Sequence, residues 1–350
     1  MPGAGEAPSD RLRDRASGSD SKLWLFMGAD RWLVTGLLVA VVFVTLTAAG
    51  SLLPAAEVAI RSGDSVDTLF QALLTATITG VTLVLTLNQL VLSQELGAAG
   101  DQRERMEEAM AFREDVADAV GTPVSPARPA QFLRALVQVS GERARDLRDA
   151  VSTDADASTS DTELQEAVED FTDSLIANSE TVATGLDDAR FGEFDVIASA
   201  LDFNYSWKIF TARRIHERYG DALDTEGQAA LDQLIDTLEL FGPAREHFKT
   251  LYFQWDLIDL SRRILVASVP ALLVSATMVA FFDASTHTPA VAGVDMLVPI
   301  VAAATTVALI PFLLLLAYIV RIATVTKHTL SIGPFILRET DDVAEVEWDQ

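Results

Sequence analysis

The chain has 350 residues, 49% of them hydrophobic, and a formal net charge of −25 from 51 acidic and 26 basic residues. So acidic a balance excludes the clustered basic face that nucleic-acid binding needs. The absence of cysteine excludes disulfides, thiol nucleophiles and cysteine-based metal sites.

The apolar residues are concentrated in long uncharged runs towards the two ends of the chain, while the middle is rich in Asp and Glu. Membrane spans joined to a soluble domain give this pattern. The only lysines are Lys22, Lys208, Lys249 and Lys327. An acid-rich, lysine-poor composition resembles that of halophile proteins. A dense carboxylate surface stays hydrated at molar salt, where the Debye length is about 3 Å and self-repulsion is screened. An acidic surface made for a basic partner is the competing reading.

Residues 1–31 form a polar tail in which Trp24, with Trp32 just beyond it, is placed as an interfacial anchor. The tail does not read as a cleaved signal peptide, because the first apolar run starts late and lacks a small-residue cleavage context. Leu33 to Leu53 is uncharged over 21 residues, close to the ~20 a bilayer needs. Pro54 ends it. Thr68 to Gln94 is a second uncharged run, long enough to span with tilt.

The second run carries the most informative pattern. Gln71, Thr75, Thr79, Thr82, Thr86, Gln89 and Ser93 recur every three or four residues and so share one stripe of a helix. They are the candidate pore-lining residues. Ala72, Ala76 and Gly80 form a small-residue stripe beside them, suited to close helix packing. A tightly packed interhelical seam would use the same residues, since Thr can bond its own backbone. Asn88, beside Gln89, reads as a helix–helix hydrogen-bonding residue.

Residues 95–261 read as an acidic helical domain. Asp101 to Val120 is expected to continue the second span. Pro123, Pro126 and Pro129 force a turn, and Gln131 to Val151 restarts with Phe132, Leu133, Leu136, Val137, Leu147 and Val151 on one face. Ser152 to Asp161 reads as a polar loop. Thr162 and Gln165 match a capping box before Leu164, Val168, Phe171, Leu175 and Val182. One helix is expected from Glu193 to Tyr219. Thr225 and Gln228 repeat the capping signature, and the helix after them runs past Gly242 and Pro243 into the third span.

Ile264 to Phe282, with Pro270, and Met296 to Val320, with Pro299 and Pro311, are the third and fourth spans. Proline is tolerated where neighbouring groups satisfy the freed carbonyls. Residues 322–350 form a C-terminal segment in which Ser331 to Leu337 is apolar but too short to span. It suits a membrane surface or the face of the bundle, and the acidic end beyond it reads as a mobile tail. Arg and Lys flank the spans on one side: Arg11, Arg13, Arg15, Lys22, Arg31, Arg103, Arg105, Arg262, Arg263, Arg321, Lys327 and Arg338. The two remaining loops contain only Arg61. Both termini and the central domain are therefore expected in the cytoplasm.

Signals for chemistry are sparse. His216, His247, His287 and His328 lack metal-ligand spacing, and no phosphate loop, dinucleotide fingerprint or nucleophile elbow is present. No catalytic residue, metal or cofactor is expected. Glu107 and Glu108 read as a solvated face. Arg213, Arg214, His216 and Arg218 form a local basic cluster expected to pair with nearby carboxylates. No span interior carries a charge, which argues against proton-coupled transport.

The stretches KTLYFQWDLIDLSRRILVASVPAL, from Lys249 to Leu272, and LSQELGAAGDQRERMEEAMAFREDV, after the second span, resemble uncharacterised four-span membrane proteins of haloarchaea. That resemblance implies an architecture and no activity. The order of two spans, a helical insert and two spans is also similar to that of bestrophin-type anion channels, in topology alone, for none of that family's pore motifs occurs here. The sequence thus leads to an all-α integral membrane protein with four transmembrane helices and a cytoplasmic helical bundle between the second and third. Its expected surroundings are a lipid bilayer, further copies of itself and a cytoplasmic protein partner. Two functions stay open: a homo-oligomeric ion channel, or a non-conducting sensor or scaffold.

Overall fold

A computed structural model describes residues 29–62, 64–95, 98–152, 159–187, 189, 194–283, 290–291 and 294–329. Trp24, the N-terminal tail, His287 and the Ser331 to Leu337 segment with its acidic end lie outside the described residues. In chain order the helices are α1 (Arg31–Leu52), α2 (Pro54–Arg61), α3 (Asp64–Glu95), α4 (Ala99–Val120) and α5 (Pro129–Ser152). Then come α6 (Thr159–Asp187), α7 (Phe194–Leu201), α8 (Tyr205–Tyr219), α9 (Thr225–Phe281) and α10 (Leu297–Thr329). Between α9 and α10 two-residue strands β1 (Ala290–Val291) and β2 (Val294–Asp295) pair antiparallel, Ala290 opposite Asp295. Everything else described is helix, turn or loop.

Four helices are long and apolar enough to cross a membrane: Arg31–Leu52, Asp64–Leu90, the one within Thr225–Phe281, and Leu297–Thr324. They mark the chain as a membrane protein. The described residues fall into two compact units. One takes described residues up to 95 together with 254–324; the other takes 98–253 with 325–329.

In the membrane unit α10 is the most enclosed span and α1 the least. Val66, Phe70 and Leu73 of α3 meet Met278 of α9 and Val301 and Ala308 of α10. Further along, Val84 meets Leu260, Ile264, Leu314 and Tyr318. Ala29 and Val34 at the start of α1 pack on Ala317. At the other end of α1, Gly50 lies so close to the Val298 side chain that a Cβ could not be fitted. The sequence reading had Pro54 end the first span; it also opens α2 at its first position, where a missing N–H costs nothing.

The second unit is built on the expected apolar faces. Leu133, Leu136, Leu147, Leu164, Val168, Leu175, Leu231, Leu234 and Leu238 are all buried in one core. Each such side chain contributes roughly 1.5–3 kcal/mol on burial. Helices α5 and α6 cross closely at Gly141, where a Cβ would stand 3.2 Å from the Ser179 Cβ.

Four details correct the sequence reading. The second span does not run on into α4, because α3 ends at Glu95 and Ala98 is extended, with φ −61° and ψ 153°. The helix expected from Glu193 to Tyr219 is two helices, α7 and α8. Phe203 is buried in the break between them, and Asn178 Nδ2 donates to the Asp202 carbonyl at 3.0 Å. Thr162 lies inside α6, which starts at Thr159. The cap of α9 is Asp224 rather than Thr225: its Oδ1 accepts from Gly227 N at 2.6 Å, while Gln228 Nε2 donates to the Gly220 carbonyl at 2.7 Å. A carboxylate one residue upstream outcompetes the threonine hydroxyl for the orphan N–H groups. As expected, Gly242 and Pro243 do not interrupt α9.

Candidate functional site

Helix α3 has two sides. Val66, Phe70, Leu73, Thr77 and Val84 are buried against the other spans. Gln71, Thr75, Thr79, Thr82, Thr86, Gln89 and Ser93 are all exposed. At about 100° per residue the exposed stripe stands roughly opposite the buried side. Within one chain, then, the stripe forms no seam with another span. Ala72 and Ala76 are exposed beside it, whereas Gly80 turns to α10, where a Cβ would stand 3.4 Å from the Phe312 ring.

The hydroxyls of the stripe bond their own helix. Thr75 Oγ1 donates to the Gln71 carbonyl at 3.0 Å, Thr79 to Thr75 at 2.9 Å, Thr82 to Ile78 at 3.0 Å and Thr86 to Thr82 at 2.9 Å. Ser93 Oγ donates to the Leu90 carbonyl at 2.7 Å. Two residues that sequence reading left out extend the row. Thr68 is exposed and donates to the Asp64 carbonyl at 2.8 Å, and Asp64, four residues earlier, is itself exposed on the same stripe.

A packed polar seam does exist, on α9. Ser261, Ser268 and Ser275 stand seven residues apart and are all buried, alternating with buried Ile264, Ala271 and Met278. Small side chains at this spacing let neighbouring helices approach. Ser261 and Ser268 donate to the Leu257 and Ile264 carbonyls at 2.9 and 2.7 Å. The seven-residue spacing was the available signal.

Charged groups gather at one end of the spans. Arg263 Nη2 meets Asp259 Oδ2 at 2.6 Å, and the Tyr318 hydroxyl donates to the same oxygen at 3.0 Å. The Arg263 guanidinium also lies over the Trp32 ring, 5.3 Å from its centroid. Asp256, one turn before Asp259, lies within electrostatic reach of Arg321 and Arg31, both more than nine-tenths buried. Sequence reading took these arginines only as orientation markers. What joins the helices here is the Tyr318 hydroxyl of α10 on Asp259 of α9 and the Trp32 ring of α1 against Arg263, with Asp256 in the field of Arg31 and Arg321.

The helical unit offers ion pairs rather than a reaction centre. Arg213 meets Glu239 at 2.6 Å, His216 meets Asp232 at 3.6 Å and Arg218 meets Glu163 at 4.0 Å, as expected of that basic cluster. A groove between α5 and α6 is lined by Arg134 and Arg145, which meet Asp187 and Glu180. Arg245 is buried over the Tyr205 ring at 4.6 Å and bonds Glu246 at 2.8 Å. Burial pulls its guanidinium below the ordinary value, with Tyr205 and Glu246 opposing. Gly242 makes room for that stack, since a Cβ there would stand 2.8 Å from the Tyr205 ring. Glu107 and Glu108 are exposed, and among the described residues no group of acidic or histidine side chains is arranged to hold a metal.

A family model described as "Family of unknown function (DUF7972)" matches residues 2–350, and the chain belongs to that family. No curated protein and no solved structure matches it.

The charged cluster generates a stability prediction. Tyr318→Phe removes one donor to Asp259 while Arg263 still holds that carboxylate. The thermal unfolding of the detergent-solubilised protein should report a loss of about 1 kcal/mol. An unchanged melting temperature would mean that the cluster does not hold these spans together.

Proposed function

We propose that this member of a family of unknown function is a homo-oligomeric, channel-like protein of the cell membrane, and not an enzyme. In this reading the polar side of α3 faces the symmetry axis. Residues 98–253 and both termini lie in the cytoplasm, where the helical unit forms a vestibule or gate. The observation that carries it is the outward direction of the stripe from Gln71 to Ser93. Left against lipid, the polar side chains of the stripe would face hydrocarbon, where an unpaired amide such as that of Gln71 costs roughly 4–8 kcal/mol. Turned towards copies of the chain, they line a route that water can fill.

Helix α4 adds support. Asp101 to Met110 is exposed around the whole helix, Met106 at 63%. Most helical stability comes from packing, so a stretch of this kind calls for a neighbour, and a second copy supplies one.

A non-conducting sensor or scaffold with a cytoplasmic protein partner is the second reading. Its support is that the threonine hydroxyls are already bonded within the helix and so need no water.

The orientation rests on the Arg and Lys distribution. With no native cysteine, single cysteines at Ser62 and Ser158 report it directly. An impermeant thiol reagent on intact cells should label position 62 and spare 158; the reverse would invert the topology. Conduction is tested by Thr79→Val with Thr82→Val, which keeps the shape and removes both hydroxyls. Ion flux into reconstituted vesicles should fall. Folded, oligomeric wild-type protein that passes neither K⁺ nor Cl⁻ would leave the scaffold reading, in which the double change shifts only oligomer stability, by about 0.6 kcal/mol per lost interhelical bond.

A further inference from the structure

We propose that the route along α3 selects cations over anions; the inference rests on the channel reading and goes beyond it by assigning the sign of the permeating charge. Its first ground is the direction of the hydroxyl protons. A hydroxyl has one proton and two lone pairs. Thr68, Thr75, Thr79, Thr82 and Thr86 all give that proton to a carbonyl of their own helix, at 2.8 to 3.0 Å. What they turn outward is oxygen lone pairs. From Thr68 to Thr86 the helix rises about 27 Å at ~1.5 Å per residue, most of the ~30 Å hydrocarbon thickness. A cation meets acceptors along that whole length. An anion must pull each proton off its carbonyl. The amides of Gln71 and Gln89 serve either sign.

Independent support stands at the end of the row. Asp64 is exposed on the same stripe, four residues before Thr68 and seven before Gln71. Copies arranged about an axis would place its carboxylate as a ring at the mouth, the arrangement that favours cations. The surrounding charge has the same sign. Residues 54–67 carry Glu57, Asp64 and Asp67 against Arg61, and residues 283–295 carry Asp283 and Asp295 with no Lys or Arg. Five carboxylates against one guanidinium leave −4 on that side of each copy, and Arg61 neutralises at most one of them. Low-dielectric walls focus such a field and raise the local concentration of counter-ions.

The test is the reversal potential of the full-length protein in a planar bilayer under a KCl gradient. The wild type should reverse near the K⁺ equilibrium potential. Asp64→Asn, checked to keep the wild-type oligomer mass, should lower the K⁺ over Cl⁻ permeability ratio several-fold, and Asp64→Glu should restore it. Currents that reverse towards the Cl⁻ potential, or a ratio that Asp64→Asn leaves unchanged, would overturn the inference while leaving a channel. No current for either ion would remove the channel reading and this inference with it.

Discussion

Hydrocarbon offers a polar group nothing to bond to, and the membrane unit is arranged around that fact. Its spans are helices that satisfy their own backbone. Hydroxyls on either side of them turn back onto carbonyls: Thr77, Ser268 and Thr306 in the packed interior, Thr75 through Thr86 on the open side. Charges are pushed to the span ends, and there they are paired. Arg263 shares the Asp259 carboxylate with the Tyr318 hydroxyl, and Asp256 lies between the fields of Arg31 and Arg321. Arg263, stacked on Trp32 of α1 and sharing Asp259 with Tyr318 of α10, thus joins three helices at that end.

The same constraint makes α3 the exception on which the proposed function rests. Val66, Phe70, Leu73 and Val84 are packed inside the chain, on α9 and α10. Gln71, Thr75, Thr79, Thr82, Thr86 and Gln89 are left facing outward, where lipid would otherwise lie. The interior did not need them, because the serine heptad of α9 already provides the close packing that a small polar stripe can give. A polar stripe that the fold has not buried calls for a cover from outside, and in the proposed assembly more copies of the chain would cover it with a like surface. The proposed channel, and its proposed preference for cations, both follow from which way this one helix is turned.

Much of this was legible in the sequence. Four uncharged runs gave four spans, and the three- and four-residue spacing of Leu133, Leu136, Val168, Phe171 and Leu175 gave the faces that fill the helical core. Periodicity placed Gln71 through Ser93 on one stripe. It could not say which way the stripe points, because that depends on where Val66, Phe70 and Val84 find partners more than 170 residues away in sequence. Short breaks were also hidden. Asn204, at the N-cap of α8, is a faint local signal; the break is held by the Phe203 ring, which is taken into the core against Phe241 with centroids 4.8 Å apart. Asp224 is hard to see as a cap from sequence because Thr225 and Gln228 fit the capping-box pattern one residue later. The charged cluster was out of reach for a related reason, since Asp259 and Tyr318 stand 59 residues apart.

The central claim is that copies of the chain cover the polar face of α3, and the most direct measurement is the mass of the assembly taken from the membrane with its lipids, by native mass spectrometry. The account predicts a closed oligomer, a whole-number multiple of the 37.8 kDa chain, large enough to surround a route. A uniform 37.8 kDa species under conditions that preserve its helical content would contradict it.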